Sequence, residues 1–291
     1  MAQFVHEIED LKMSGKILTI FFALTVIATS FMYANMAKAQ AITEGLVSYW
    51  SFDKNTISGK TVKDIQGGHD AEIVGDTEVT AGKCHEALIF NEGNKNYISI
   101  PAEAINDLDA GTIEARVKLD SNEKGVIIAK QHDNVGTYAV FSIGYYASVN
   151  GLGVSGKAGT LYFHSKNPGG PLEVSSSSIL DEGQWYHVAV TFDTSGAKLY
   201  IDGSLDGTAD GDYSIPNDLS PLYTTIGAWI SNDNGPWSYF NGIIDEVRIY
   251  NRVLSEAEVR HNSAKGCAVA PSDKLSFTWG EIKALGVAEI K

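Results

Sequence analysis

Between Leu46 and Ala228 the chain is interrupted every few residues by Gly, Asn, Asp or Ser, and no stretch before residue 255 sustains a helical period over an ordinary helix length. That punctuation restricts the fold to short antiparallel strands joined by turns. The clearest strand is 112–119, where Ile113, Ala115, Val117 and Leu119 alternate with Glu114, Arg116 and Lys118. A period of two predicts one buried face and one wet face. Similar segments lie at 46–52, 86–90, 97–100, 126–130, 138–143, 160–164, 186–192, 198–201 and 223–228. Asp202-Gly203 between 198–201 and Leu205 is a hairpin signal, because both residue types tolerate positive φ. About ten strands in an uninterrupted stretch, without a proline-rich or charged linker, predict one all-β, two-sheet domain.

The stretch 240–259 closes this pattern. As a strand, 243–250 places Ile243, Asp245, Val247 and Ile249 on the core face and Ile244, Glu246, Arg248 and Tyr250 on the other. A carboxylate pointing into a core needs a cation, an arginine or several N–H donors. Asp245 is therefore the first candidate functional residue. Ser255 and Glu258 form a capping box with Leu254 and Val259 at the staple positions, which predicts a short C-terminal helix from about Glu256.

At the other end, residues 17–33 (ILTIFFALTVIATSFMY) follow Lys12 and Lys16, and Ala37-Lys38-Ala39 has the spacing of a signal-peptidase site. The expectation is a signal peptide over 1–39, cleaved before Gln40, and a secreted, periplasmic or cell-surface protein. The run is close to the roughly 17–25 apolar residues of a membrane span, so an uncleaved anchor is the alternative. Residues 1–39 carry as many acids as lysines, and the rest keeps the formal net charge of −14. An acidic surface repels phosphate backbones and argues against nucleic acid as a partner. Cys84 and Cys267 are expected to form one disulfide in an oxidising compartment, two free thiols being the alternative. The pattern fades over 266–291, whose role the sequence leaves open.

Six segments then carry a family resemblance: Gly45-Leu-Val-Ser-Tyr-Trp-Ser-Phe-Asp53, Gly82-Lys-Cys-His-Glu-Ala-Leu-Ile-Phe90, Gly111-Thr-Ile-Glu-Ala-Arg-Val117, Trp185-Tyr-His-Val-Ala-Val-Thr-Phe-Asp193, Leu199-Tyr-Ile-Asp-Gly203 and Gly242-Ile-Ile-Asp-Glu-Val-Arg-Ile-Tyr250. In order and spacing the chain resembles laminin-G-like domains of the concanavalin A-like lectin/glucanase superfamily, over about residues 44–265. The resemblance implies a jelly-roll sandwich used as a secreted binding module. It also implies a structural calcium ion near the junction of the first and last strands, with Asp245 and Asp53 as ligands. Calcium takes hard oxygen ligands and would neutralise an inward carboxylate. The alternative is that Asp245 accepts backbone N–H bonds or pairs with an arginine such as Arg116.

The superfamily includes glycosidases, whose retaining members need two carboxylates about 5 Å apart. No Glu-x-Asp-x-x-Glu strand occurs; Glu114 has Arg116 at the alternate position, and adjacent Asp245 and Glu246 are expected on opposite faces. His187 alternates with valines and lacks a nearby nucleophile. The expectation is a protein without catalytic residues. Its candidate ligand-binding residues are Trp229, Asn232, Asp233, Trp237 and Tyr239, in a stretch that combines flat rings for sugar faces with side chains that read hydroxyls. Two functions follow: carbohydrate binding or adhesion, with an extracellular glycan or surface glycoprotein as partner, or a structural or protein-interaction role without a sugar site.

Overall fold

The computed structural model describes residues 41–122, 124–132, 136–144, 157–167, 170–215, 223–231 and 235–267. The expected signal peptide, its cleavage point before Gln40 and the tail beyond Cys267 lie outside them. No helix among the described residues is long and apolar enough to cross a membrane.

Two antiparallel sheets form a sandwich. The eight-stranded sheet runs in the order Ser204–Asp210, Gly196–Ile201, Trp185–Phe192, Gly111–Leu119, Gly242–Tyr250, Glu86–Phe90, Glu78–Ala81, and the first strand, Leu46–Trp50, also pairs with Gly242–Tyr250. The nine-stranded sheet runs Gly170–Ile179, Thr160–Asn167, Gly136–Gly144, Lys124–His132, Tyr223–Ile226, Tyr97–Ser99, Ala71–Val74, Thr61–Val62, Ile57–Ser58. A separate two-stranded ribbon joins Trp229–Ser231 to Gly235–Trp237. The core between the sheets is built from alternate residues, including Ile113, Ala115, Val117 and Leu119 from one sheet and Phe141, Leu161 and Phe163 from the other. Aromatic rings bridge the layers: Phe163 stacks on Phe192 at 5.3 Å, and Phe90 meets Phe240 edge-on at 6.4 Å.

The hairpin at Asp202-Gly203 forms as expected, with φ of 50° and 79°. Gly170–Ile179 was not anticipated, since its Ser175-Ser-Ser-Ser178 run lacks apolar alternation; it is an edge strand with only Val174 and Ser176 buried along its middle. The C-terminal helix is Glu256–Lys265, capped by the reciprocal Ser255–Glu258 box. Leu254 and Val259 pack with Ala189, Tyr200 and Tyr250 in a second apolar cluster on the outer face of the eight-stranded sheet.

That covering corrects one sequence expectation. Glu114 and Arg116 alternate with core residues as expected, but their face is not wet: both are buried. The helix lies over it, and Arg116 donates to the Asn262 and Ser263 carbonyls at 3.1 and 2.8 Å.

A second correction concerns the last strand. Ile244, Val247 and Ile249 face the core, so Asp245 does not point with Val247 and Ile249. Glu246 has φ of 57°, and the register against Gly111–Leu119 shifts between Asp245 and Arg248. One extra residue at this β-bulge breaks the two-residue period. Asp245 and Glu246 together occupy the interval between core residues Ile244 and Val247, and both carboxylates leave the core face; the expectation that they point to opposite sides is thus overturned.

Candidate functional site

The bulge sits where the last strand changes partners. Ile244 pairs with Leu88, whereas Val247 pairs with Trp50, so two short strands share one edge and meet beside Asp245 and Glu246. The chain segments leaving them, after Trp50 and before Glu86, supply the site's other residues.

Asp245 is fully buried. Its Oδ2 accepts from the Cys84 N–H at 3.0 Å, while Oδ1 has no hydrogen-bond partner. Gly82 is required here, because a Cβ would lie 2.7 Å from Asp245 Oδ2 and 2.8 Å from the Glu86 carbonyl oxygen. Asp53 is also buried, and its Oδ1 accepts from the Glu86 N–H at 3.1 Å. The turn 82–86 therefore contacts both predicted metal ligands. Burial, the Glu246 charge and, more weakly, the Asp53 charge push the Asp245 carboxyl up to about 8, against the lowering effect of the Cys84 and Lys83 amides.

A larger network continues on the outer face. Arg248 is bonded to Glu246, stands 3.6 Å from Glu114 and lies over the Tyr49 ring with 4.1 Å to its centroid. Tyr49 Oη donates to Glu246 at 2.7 Å. His187 Nε2 lies 3.3 Å from Glu114, and Asn262 donates to both Glu114 oxygens. Burial alone would raise the Glu114 carboxyl, but the close approach of His187, with Arg248 and Asn262, holds it below the usual range. The Arg248 guanidinium stays charged: burial opposes its charge, and Glu246, Tyr49 and Glu114 outweigh that. The Cys84–Cys267 disulfide, with Cα atoms 5.3 Å apart, closes the network. Arg248 donates to the carbonyl of Gly266 immediately before it. Sequence alternation singled out Asp245 but did not reveal the adjoining network of Glu246, Arg248, Glu114 and Asn262.

Among the described residues no three His, Cys, Asp or Glu side chains converge as a metal cluster. Asp245 and Asp53 nevertheless fit a hard cation: one buried carboxylate oxygen lacks a partner, and the carboxylates repel one another. The rest of a shell would have to come from main-chain carbonyls and water.

The predicted ligand residues gather elsewhere. Trp229 and Trp237 are direct cross-strand partners in the ribbon, and Ile230 opposes Pro236. Asn232 and Asp233 lie outside the described residues. Trp229 and Tyr239 are each only 3% exposed, so both are packed into the protein. A surface groove lined by Tyr200, Leu205, Val253 and Glu256 contains none of the candidates.

A Ser–His–Asp grouping is also present: Ser48 Oγ lies 2.7 Å from His69 Nδ1, and Asp64 lies 3.7 Å from the same nitrogen. Ser48 is fully buried, and both partners meet one ring atom, so this is not the arrangement in which a histidine relays a proton between the other two.

No curated protein sequence matches the chain significantly. Several solved structures share its fold. Domain 4 of an extracellular arabinanase from Geobacillus stearothermophilus, solved in complex with arabinotriose, is 20% identical with a TM-score of 0.56, covering 74% of this chain and 96% of that one. The binding domain of botulinum neurotoxin DC, in complex with rat synaptotagmin II, is 13% identical with a TM-score of 0.55, covering 77% of this chain and 52% of its own. Trypanosoma rangeli sialidase is 18% identical with a TM-score of 0.51, covering 77% of this chain and 33% of the sialidase. This chain thus spans nearly all of the arabinanase domain, about half of the toxin domain and a third of the sialidase. The model of a laminin-G-like family in the concanavalin A-like lectin/glucanases superfamily matches residues 92–260, more than half of the sequence, and the chain belongs to that family.

Proposed function

We propose that this protein is a secreted, non-catalytic module that binds an extracellular glycan or surface glycoprotein through the Trp229–Trp237 ribbon, in carbohydrate recognition or adhesion. The observation that carries the reading is the register of that ribbon. It is paired separately from both sheets and brings Trp229 opposite Trp237, with Asn232 and Asp233 between them in sequence. Trp229 is buried, and the sequence 232–239 combines an indole suited to an apolar sugar face with side chains suited to exchanging hydrogen bonds with hydroxyls. The likeness to an arabinanase domain bound to arabinotriose supports the same reading.

The buried acids favour structure over catalysis. Glu114, Asp245 and Glu246 lie beneath the surface, and Glu246 and Glu114 are held by Arg248, Tyr49, His187 and Asn262. A glycosidase pair has to reach the bond it breaks. Asp245 and Asp53 would instead hold a structural calcium ion, which supplies the positive charge that Asp245 Oδ1 lacks and fixes the junction of the first and last strands.

A glycan array probed with the full-length protein and with Trp237→Ala tests the recognition reading. Binding to a glycan class that the variant loses supports it. Silence across the array, with retained binding to a protein partner, replaces it with a protein-interaction role, which the toxin domain's complex with synaptotagmin II favours as the second reading.

A further inference from the structure

We infer that the Cys84–Cys267 disulfide positions the Asp245–Asp53 carboxylates, so that calcium affinity and the redox state of this bridge are thermodynamically coupled. The inference rests on the calcium reading above and extends it to control of the site.

The bridge has one end on each side of the bulge. On one side, the Cys84 N–H is bonded to Asp245 Oδ2, and the Glu86 N–H two residues later is bonded to Asp53 Oδ1. Gly82 closes the same turn by donating to the His85 carbonyl at 3.0 Å. On the other side, Gly266 next to Cys267 accepts from Arg248, which is bonded to Glu246. The disulfide joins these halves across 183 residues of sequence.

Without the bridge, the turn 82–86 is held against the last strand chiefly by hydrogen bonds, each worth about 1 kcal/mol net. Two of them, from the Cys84 amide to Asp245 and from the Glu86 amide to Asp53, tie this turn to the two carboxylates, so an opened turn is accessible at small cost. Opening separates the Asp53 clamp from Asp245. Closing the bridge removes the opened states and leaves the carboxylates assembled before the ion arrives, which is how preorganisation raises affinity. By reciprocity, calcium must favour the disulfide by the same factor as the disulfide favours calcium.

Reduction breaks the S–S bond and takes two electrons and two protons to give two thiols, with glutathione as donor being oxidised to its disulfide. The test equilibrates the full-length protein in glutathione buffers of graded redox ratio, with calcium or with chelator. The oxidised fraction is read by mass after thiol alkylation. Calcium titrations of oxidised wild type and of the Cys84→Ser/Cys267→Ser double variant run alongside. The expected result is a calcium-induced shift of the midpoint toward the oxidised protein of about tenfold, with a matching loss of affinity in the variant. The redox titration needs only wild-type protein and decides the matter if the variant does not fold. Calcium binding to the oxidised protein with an unmoved midpoint overturns the inference and leaves the calcium reading standing. Absence of calcium binding to the oxidised protein overturns both.

Discussion

Asp245 and Arg116 stand directly opposite each other across neighbouring strands, yet no ion pair joins them: Arg116 turns its guanidinium to the carbonyls of Asn262 and Ser263 at the end of the C-terminal helix. The nearest arginine in register thus caps a helix with its positive charge. Asp245 is left with backbone donors on one oxygen and none on the other.

Calcium should therefore raise the melting temperature of the wild-type protein, and chelation should reverse the rise. A ligand at a hundredfold excess over its Kd stabilises the folded state by about 2.7 kcal/mol. Asp245→Asn should abolish the calcium-dependent increment, while in chelator the variant should melt close to wild type, since asparagine has the shape of a protonated aspartate. Thermal unfolding with and without calcium checks both outcomes; an increment retained in the variant removes Asp245 from the site.

Gly82→Ala tests the same site from its far wall. The new methyl would lie 2.7 Å from Asp245 Oδ2, so the turn must move away from the carboxylate. The expected result is a calcium increment reduced by at least half, read from the same melting curves.

The network beneath the helix makes a different prediction. Arg248→Met leaves Glu246 without its arginine and removes a positive neighbour of Glu114, both carboxylates being buried. Breaking one member of such a pair costs about 3–5 kcal/mol. Urea unfolding should show a correspondingly lower midpoint, with chelator present so that the effect is independent of any bound ion.

The helix start provides a pH signature. Arg252 bonded to Glu258, together with the Ser255 amide and hydroxyl, holds the Glu258 carboxyl down to about 2. A lowered carboxylate contributes stability that is complete above its unfolded pKa near 4.5 and is lost as pH falls through about 2. Because this pair is partly exposed, solvent screening limits the contribution to about 1 kcal/mol. Glu258→Gln should flatten that part of the stability–pH curve, and Ser255→Ala should cost about 1 kcal/mol at neutral pH.

Within the ribbon, the two tryptophans should separate support from recognition. Trp229→Ala removes a buried ring and should destabilise by about 3–5 kcal/mol, which makes it a poor probe of binding. Trp237→Ala should weaken glycan binding by tenfold or more, measured by titration with the best array ligand, while Trp229→Phe retains it.

What the sequence revealed and what it hid follow from the range of the interactions. The hairpin at Asp202-Gly203, the capping box at Ser255 and Glu258 and the alternation of Ile113 to Leu119 are local, and local chemistry is written in neighbouring letters. The disulfide was an arithmetic expectation from two cysteines, and the structure contains it. The bulge was hidden because Glu246 adopts positive φ without a glycine to announce it. The burial of Glu114 and Arg116 was hidden because what covers them, the helix with Asn262 and Ser263, lies some 150 residues further along the chain. Alternation says that a face differs from its reverse; it does not say that a helix will return to cover it.

The marriage of the first and last strands also sets a timetable for synthesis. Tyr250 Oη reaches the Ile42 carbonyl 208 residues earlier, Leu46 pairs with Tyr250, and the disulfide waits for Cys267. Contacts this distant in sequence carry a large loop-closure cost before they return any energy, which slows folding. Leu46–Trp50 pairs with Gly242–Tyr250, so it waits for its sheet partner until nearly the whole domain has been made. A chain stopped before residue 242 would leave Leu46–Trp50, Glu86–Phe90 and Gly111–Leu119 each without the strand they share, the kind of species that chaperones retain. Completion of the last strand is thus the step that turns a sticky nascent chain into a closed domain.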